Sequence, residues 1–225
     1  SHDAGHILGS AMYEIVRDNR RILFTGDLGS SPSPLLHDTE IVKGINYLVM
    51  ESVYGAREHD QQATRRDRLE DVIENTMKQD GVLLIPAFSI ERTQELLYEL
   101  EHMTAEGRIP PVPVYLDSPL AIKVTEIYKH FQNYFNSTVA DPDRLRDGIF
   151  NFPNLHKTLT TEESKAIVGR PGRKIIIAGS GMSNGGRIIH HEKHFLTNPT
   201  TALLLIGYQA AGSLGRLLEE GAKEV

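Results

Sequence analysis

Between Gln62 and Phe195 the chain alternates between helical spacing and short unbroken apolar runs. Gln62 to Gln79 carries Leu69, Val72, Ile73, Thr76 and Met77 at helical spacing in an otherwise charged segment, which predicts a helix with one packed and one solvated face. Val82 to Pro86, Val114 to Asp117, Lys174 to Ala178 and Ala202 to Ile206 are apolar runs of strand length. Helices are predicted between them. Glu91 to Met103 turns Leu96, Leu97 and Leu100 inward, and Pro119 to Phe131 starts with Ser118 as its cap and Pro119 at its first position. Thr160-Thr161-Glu162-Glu163 is a capping box that opens a helix to Val168, and Gly186 to Phe195 is a further helix. Unbroken apolar strands separated by helices imply a mainly parallel sheet covered on both faces, an α/β fold.

The first 55 residues follow a different pattern. Ala11 to Val16 and Arg21 to Thr25 predict two strands of an antiparallel hairpin around the polar turn Arg17 to Arg20. Tyr47 to Glu51 is a third short strand, and Ser30 to Pro34 is a Ser/Pro loop. Asn136 to Lys157 has no periodicity and is expected to be an irregular loop. The change of pattern sets a domain boundary near Gly55 to Glu58, with a return near Pro199. Residues 1–55 and 200–225 then form one portion and 56–199 an inserted one, an arrangement that domain termini lying close together make tolerable.

Composition narrows the chemistry. With 225 residues, 40% of them hydrophobic and 24% charged, the chain can bury a sizeable core as one large domain or two small ones. No apolar run approaches a bilayer span and the first residues do not resemble a signal peptide, so no membrane association and a cytoplasmic location are expected. The absence of cysteine excludes disulfides, thiolate metal ligands and a cysteine nucleophile, leaving His, Asp and Glu as metal donors. A net charge of −6 argues against broad phosphate-backbone binding, which needs a face rich in lysine and arginine.

Three short signals near the N-terminus carry candidate chemistry: Ala4-Gly5-His6-Ile7-Leu8-Gly9-Ser10-Ala11, Phe24-Thr25-Gly26-Asp27-Leu28-Gly29 and Met50-Glu51-Ser52-Val53-Tyr54-Gly55. They put His6, Asp27 and Glu51 at turns or strand ends beside small residues, as a metallohydrolase site requires. Taken singly, His6 reads as a surface-turn histidine, Asp27 as a turn-closing aspartate and Glu51 as a strand-terminal carboxylate. Glu51 directly follows an apolar strand and needs a partner, expected outside this chain. Gly179-Ser180-Gly181-Met182-Ser183-Asn184-Gly185-Gly186 lies after a strand and before a helix. Its backbone N–H groups suit an anion, with a tight structural turn as the equal alternative. Arg92 and Arg187 are the basic residues nearest such turns and are candidate phosphate contacts, with a solvated or ion-paired role as the equal alternative. His190, His191 and His194 lack zincin spacing and read as packing and surface histidines.

The three N-terminal signals, with Ile85-Pro86-Ala87-Phe88, Arg92-Thr93-Gln94-Glu95-Leu96-Leu97, Asp117-Ser118-Pro119-Leu120-Ala121, Gly179-Ser180-Gly181-Met182 and Gly207-Tyr208-Gln209, resemble the β-CASP nucleases of the metallo-β-lactamase superfamily. The resemblance covers nearly the whole chain. It implies part of a metallo-β-lactamase αββα sandwich in residues 1–55 and 200–225, with a β-CASP domain inserted between them. It also implies a zinc-dependent ribonuclease acting by a two-zinc mechanism, with His6 and Asp27 as metal ligands, Asp27 and Glu51 as catalytic groups, and Ser180, Gly181, Met182 and Arg92 holding substrate. Single-stranded RNA is the implied partner, and a homodimer is compatible with it. A DNA-processing nuclease of the same architecture and a non-catalytic scaffold subunit are the alternatives, and taken at face value the 179–186 loop suits a small nucleotide- or phosphosugar-binding domain. The remaining ligands of the family, in an HxHxDH cluster and in SAH or SGH and VHGE motifs, are not found in this sequence. The chain is therefore expected to be an internal portion of a longer enzyme, inactive alone and without stoichiometric zinc.

Overall fold

A computed structural model describes residues 1–56, 62–140, 148–222 and 224. The chain divides into two compact units, Ser1–Gln62 with Tyr128–Ile149 and Ala63–Ile127 with Phe150–Val225.

The first unit holds a four-stranded sheet of β1 (His2–Asp3), β2 (Ala11–Arg17), β3 (Arg20–Phe24) and β4 (Tyr47–Val49), in that order. The β1/β2 and β2/β3 pairs are antiparallel and β3/β4 is parallel. The hairpin predicted from the sequence is present, and its turn is made by Asp18 and Asn19, both with positive φ, as a two-residue turn between right-twisted strands demands. One face of the sheet packs Ala4, Met12 and Leu23 with Leu28, Val42 and Ile45. The opposite face carries Tyr13, Ile15, Phe24, Tyr47 and Val49, all exposed, and the register Tyr13–Phe24–Val49 aligns three of them across the strands. Residues from the later segment complete the unit: Leu36 bridges Phe135, and the Leu8 N–H donates to the Tyr128 hydroxyl at 3.1 Å.

The second unit is the α/β portion. Its helices are α1 (Gln62–Lys78), α2 (Arg92–Ala105), α3 (Pro119–His130, whose last turn groups with the first unit), α4 (Thr161–Val168), α5 (Ile188–Phe195) and α6 (Leu214–Glu219). Its strands are β5 (Val82–Pro86), β6 (Val114–Asp117), β7 (Leu155–Lys157), β8 (Lys174–Ala178) and β9 (Ala202–Leu203), arranged β7-β6-β8-β5-β9 and parallel throughout. Leu84, Tyr115 and Ile176 pack with Ile167 of α4 and with Ile188 and Phe195 of α5. Leu83, Ile85, Ile175 and Ile177 are also buried and project from the other face by the pleat, so both faces of the sheet are covered, as the unbroken apolar runs imply. Among the described residues no helix is long and apolar enough to cross a membrane.

Two expectations are corrected by strand pairing. Leu155–Lys157, in the stretch expected to be irregular, forms edge strand β7 against β6; three residues are too few to show a period. Residues 141–147 of that stretch lie outside the described residues. Residues 202–203, grouped by the sequence with 1–55, pair with β5, and Gly81 lets this happen. A Cβ there would lie 2.0 Å from the Thr200 carbonyl oxygen, so only glycine admits the approach of these two segments.

Helix starts follow their sequence signals. Ser118 Oγ accepts from the Ala121 N–H at 3.3 Å. At α4, Thr160 Oγ1 accepts from the Glu163 N–H at 3.1 Å while Glu163 Oε2 accepts from the Thr160 N–H at 2.9 Å, the reciprocal arrangement of a capping box. Thr160→Ala should cost about 1 kcal/mol, read as a lower urea midpoint at unchanged slope for the transition that reports the second unit.

Candidate functional site

The turn that carries His6 is built by Ser10, whose Oγ accepts from the N–H groups of His6 and Ile7 at 3.1 and 3.2 Å. It is locked onto the turn that carries Asp27. The Gly29 N–H donates to the Ala4 carbonyl at 2.9 Å, and a Cβ on Gly29 would lie 1.8 Å from the Gly5 oxygen. Gly5 itself has φ +64° and would meet the Thr39 N at 2.8 Å, so both positions require glycine. Asp27 is exposed and His6 is half-buried.

Glu51 ties the third signal to the second. Its Oε1 accepts from the Leu28 N–H and its Oε2 from the Val53 N–H, both at 3.1 Å, while its own N–H donates to Thr25 Oγ1 at 3.3 Å. The partner expected outside this chain is thus supplied within it by backbone N–H groups, and the residue that Glu51 holds is the neighbour of Asp27. Among the described residues, no group of three or more His, Asp or Glu side chains is arranged to hold a metal ion. His6 and Asp27 are two donors of suitable chemistry on interlocked turns, fewer than the three protein ligands of a catalytic zinc, so the residues described do not by themselves constitute a metal centre.

In the second unit the loops after β5, β6 and β8 meet at the carboxyl edge of the sheet. From β5 the chain crosses through α2 to β6 on one side, and from β8 it crosses through α5 to β9 on the other. The crevice between β5 and β8 is therefore where the winding reverses, the place where open α/β sheets bind ligands. Small residues crowd it: Ser89 Oγ and Ser118 Oγ lie 3.3 Å apart, and a Cβ on Gly179 would contact both. The 179–186 loop is held from within by Ser180 N–H to the Gly185 carbonyl at 3.1 Å and Asn184 N–H to Ser180 Oγ at 3.2 Å. From outside, Gln209 Nε2 donates to the Gly181 carbonyl at 3.0 Å and the Gly215 N–H to the Met182 carbonyl at 2.9 Å. The N–H groups of Gly181 and Met182 donate to no group among the described residues. In the loop after β5, Glu91 has φ +62° and ψ −64°, and the Arg92 N–H donates to the Ile90 carbonyl at 2.9 Å. Such a γ-turn on a residue with a side chain is strained, and it sits at the same edge.

Behind the loop lies a cluster that the sequence reading missed. Asp117, fully buried at the end of β6, accepts from Thr158 Oγ1 at 2.6 Å, Ser164 Oγ at 2.5 Å, Arg187 Nη1 at 2.7 Å and His191 Nε2 at 2.7 Å. Burial pushes its carboxyl upward, but the donors, His191 foremost, outweigh that and hold it at about 2. His191, read from the sequence as packing, is a partner of this buried charge. Arg187 also donates to the Thr158 and Leu159 carbonyls at 3.1 and 3.0 Å, which commits the guanidinium named as a phosphate contact to holding the loop. The available signal was the i, i+4 pair of Arg187, at the cap of α5, and His191 within it, downstream of an aspartate closing a buried strand. Beside it, Glu192 is buried under the loop and accepts from Ser183 Oγ; burial raises its carboxyl above the usual range. Of the residues assigned to substrate, Ser180, Gly181 and Met182 share this one loop, while Arg92 opens α2 with its guanidinium 2.6 Å from Glu95.

Asp117→Asn should destabilise the protein by about 3 kcal/mol at neutral pH, because it leaves Arg187 without its buried counter-charge. A carboxyl depressed from 3.8 to about 2 stabilises the fold above pH 4, and that contribution is lost as pH falls through about 2. The gap between wild type and variant in denaturant midpoints should therefore close over that window.

Comparison with known proteins gives the context. Residues 93–218 match the Beta-Casp domain. Over 213 residues the chain is 39% identical to Ribonuclease TTHA0252 of Thermus thermophilus, covering 94% of this chain and 49% of that protein. It is 37% identical to the RNase J-like protein of Methanocaldococcus jannaschii over 100% of this chain and 52% of that protein. It is 33% identical to the Transcription termination factor FttA of Methanosarcina mazei over 100% of this chain and 36% of that protein. The chain thus spans about half the length of the first two relatives and about a third of the last. β6, β8 and the 179–186 turn of the carboxyl edge fall within the matched residues, while β5 and the loop after it precede them; on this match, which takes in more than half of its residues, the chain belongs to the Beta-Casp family.

Proposed function

We propose that this chain is part of a metal-dependent ribonuclease that hydrolyses RNA phosphodiester bonds. The observation that carries the reading is the interlock of the His6 and Asp27 turns through the Gly29 N–H and the Ala4 carbonyl, on a chain similar along its length to proteins named as ribonucleases. In this reading zinc is the metal and two ions make up the complete centre. His6 and Asp27 contribute donors, and the rest of the donor set comes from outside the described residues. Glu51 holds the Leu28 and Val53 N–H groups and so fixes the direction in which Asp27 leaves its turn. The four-stranded sheet is read as part of a metallo-β-lactamase sandwich.

RNA is held, in the same reading, by the loop at residues 180–182, where two backbone N–H groups suit a phosphate oxygen. Arg92 adds a half-exposed guanidinium. The acidic balance of the chain makes this a local grip on a single strand rather than a broad electrostatic face.

The test uses the complete protein and end-labelled single-stranded RNA and DNA of one sequence. Cleavage of the RNA should stop on chelation, return with zinc, and fall to background in Asp27→Ala. Glu51→Gln should lower the rate by roughly 10- to 100-fold, the usual cost of losing a group that orients a ligand. Full activity in Asp27→Ala would overturn the assignment, preferential cleavage of DNA would replace the substrate, and no cleavage of either strand under any divalent metal would favour the scaffold.

A further inference from the structure

Phe88 lies in the loop that follows β5 and is 41% exposed, although its flanking residue Ala87 is buried. One edge of its ring is fixed: a Cβ on Gly181 would sit 2.7 Å from Cδ2 and 2.9 Å from Cε2, and one on Gly207 would sit 3.8 Å from Cε2. Gly181 therefore admits the ring and Gly207 flanks it at contact distance, and the Gly181 backbone against which it lies carries one of the N–H groups without a partner among the described residues. The clamp is itself rigid. Gln209 Nε2 bonds both the Gly181 and Gly207 carbonyls at 3.0 Å, and the Oγ1 of Thr93 donates to the Phe88 carbonyl at 2.7 Å. Leaving an aromatic side chain this exposed forfeits apolar burial, yet here three segments are shaped to keep it in place.

We propose that Phe88 is a stacking platform for one base of a single nucleic-acid strand whose phosphate lies on the Gly181 and Met182 N–H groups. This deepens the reading of the 180–182 loop as a phosphate holder and rests on it. A phosphate site beside a pre-positioned aromatic ring matches a nucleotide, in which a charged group and a flat π-face are covalently joined. Stacking on a phenyl ring accepts every base, so this residue contributes grip and register along the strand without sequence preference. Phe88 is a binding residue and takes no part in bond cleavage.

These 225 residues contain no tryptophan, so Phe88→Trp made in this chain carries one tryptophan, whose emission reports this position. It is titrated with a ten-nucleotide RNA and with an abasic strand carrying the same number of phosphates. Emission should be quenched by the RNA and not by the abasic strand. In parallel, Phe88→Leu should bind the RNA roughly tenfold more weakly and the abasic strand equally well, with Phe88→Tyr retaining wild-type affinity as the control for folding. Equal binding of the two strands by wild type, or no loss of RNA affinity in Phe88→Leu, overturns the platform and leaves the phosphate loop standing. Failure of wild type to bind either strand overturns the loop reading and the platform with it.

Discussion

A carboxylate with no access to water terminates β6, and the carboxyl edge of the second unit is organised around satisfying it. Asp117 draws one donor from the segment after β7, one from α4, one from Arg187 at the cap of α5 and one from His191 within α5. An ionised carboxylate in a dry site is tolerated only with such a set of partners. Because Arg187 caps α5 and His191 lies in its first turn, the charge fixes where that helix begins, and with it the geometry of the glycine-rich loop that precedes it. The pairing also decides how each group can be used. A guanidinium that spans a buried carboxylate and two carbonyl oxygens holds the architecture of the loop, while phosphate recognition falls to backbone N–H groups.

The first unit solves a different problem with backbone alone. Its candidate residues stand on turns that touch through main-chain atoms, with glycine at both contact points and Glu51 bonded to two N–H groups of the second and third turns. Side chains set at such turns are aimed by the chain itself rather than by packing, which suits groups that must project toward a ligand. The two units thus offer complementary means: rigid turns bearing donors in one, and a crevice at a reversal of strand winding in the other.

Most of the α/β portion was legible in the sequence because its signals are local. Val82–Pro86 and Lys174–Ala178 are unbroken apolar runs, and Thr160 with Glu163 is a complete capping box. β7 was not legible, since three residues carry no period and each pairs with a residue 41 positions away in the chain. The Asp117 cluster was hidden for a related reason: its members are spread from Asp117 to His191 and only the sheet brings them together. The order of Ala4–Ala11, Thr25–Asp27 and Glu51–Gly55 pointed to the turns of the first unit, but that their contact is main chain to main chain could be seen only in three dimensions. The partner of Glu51 was misplaced for that reason, because backbone N–H groups leave no trace in a residue pattern.

The steric seal between Gly5 and Gly29 also constrains how the protein can vary. Any side chain at position 29 collides with an oxygen of the other turn, so a replacement there is admissible only if the backbone at position 5 moves as well. The two sites are energetically coupled and their substitutions non-additive. Changes acceptable together would be rejected one at a time, so single-step drift cannot easily separate the pair.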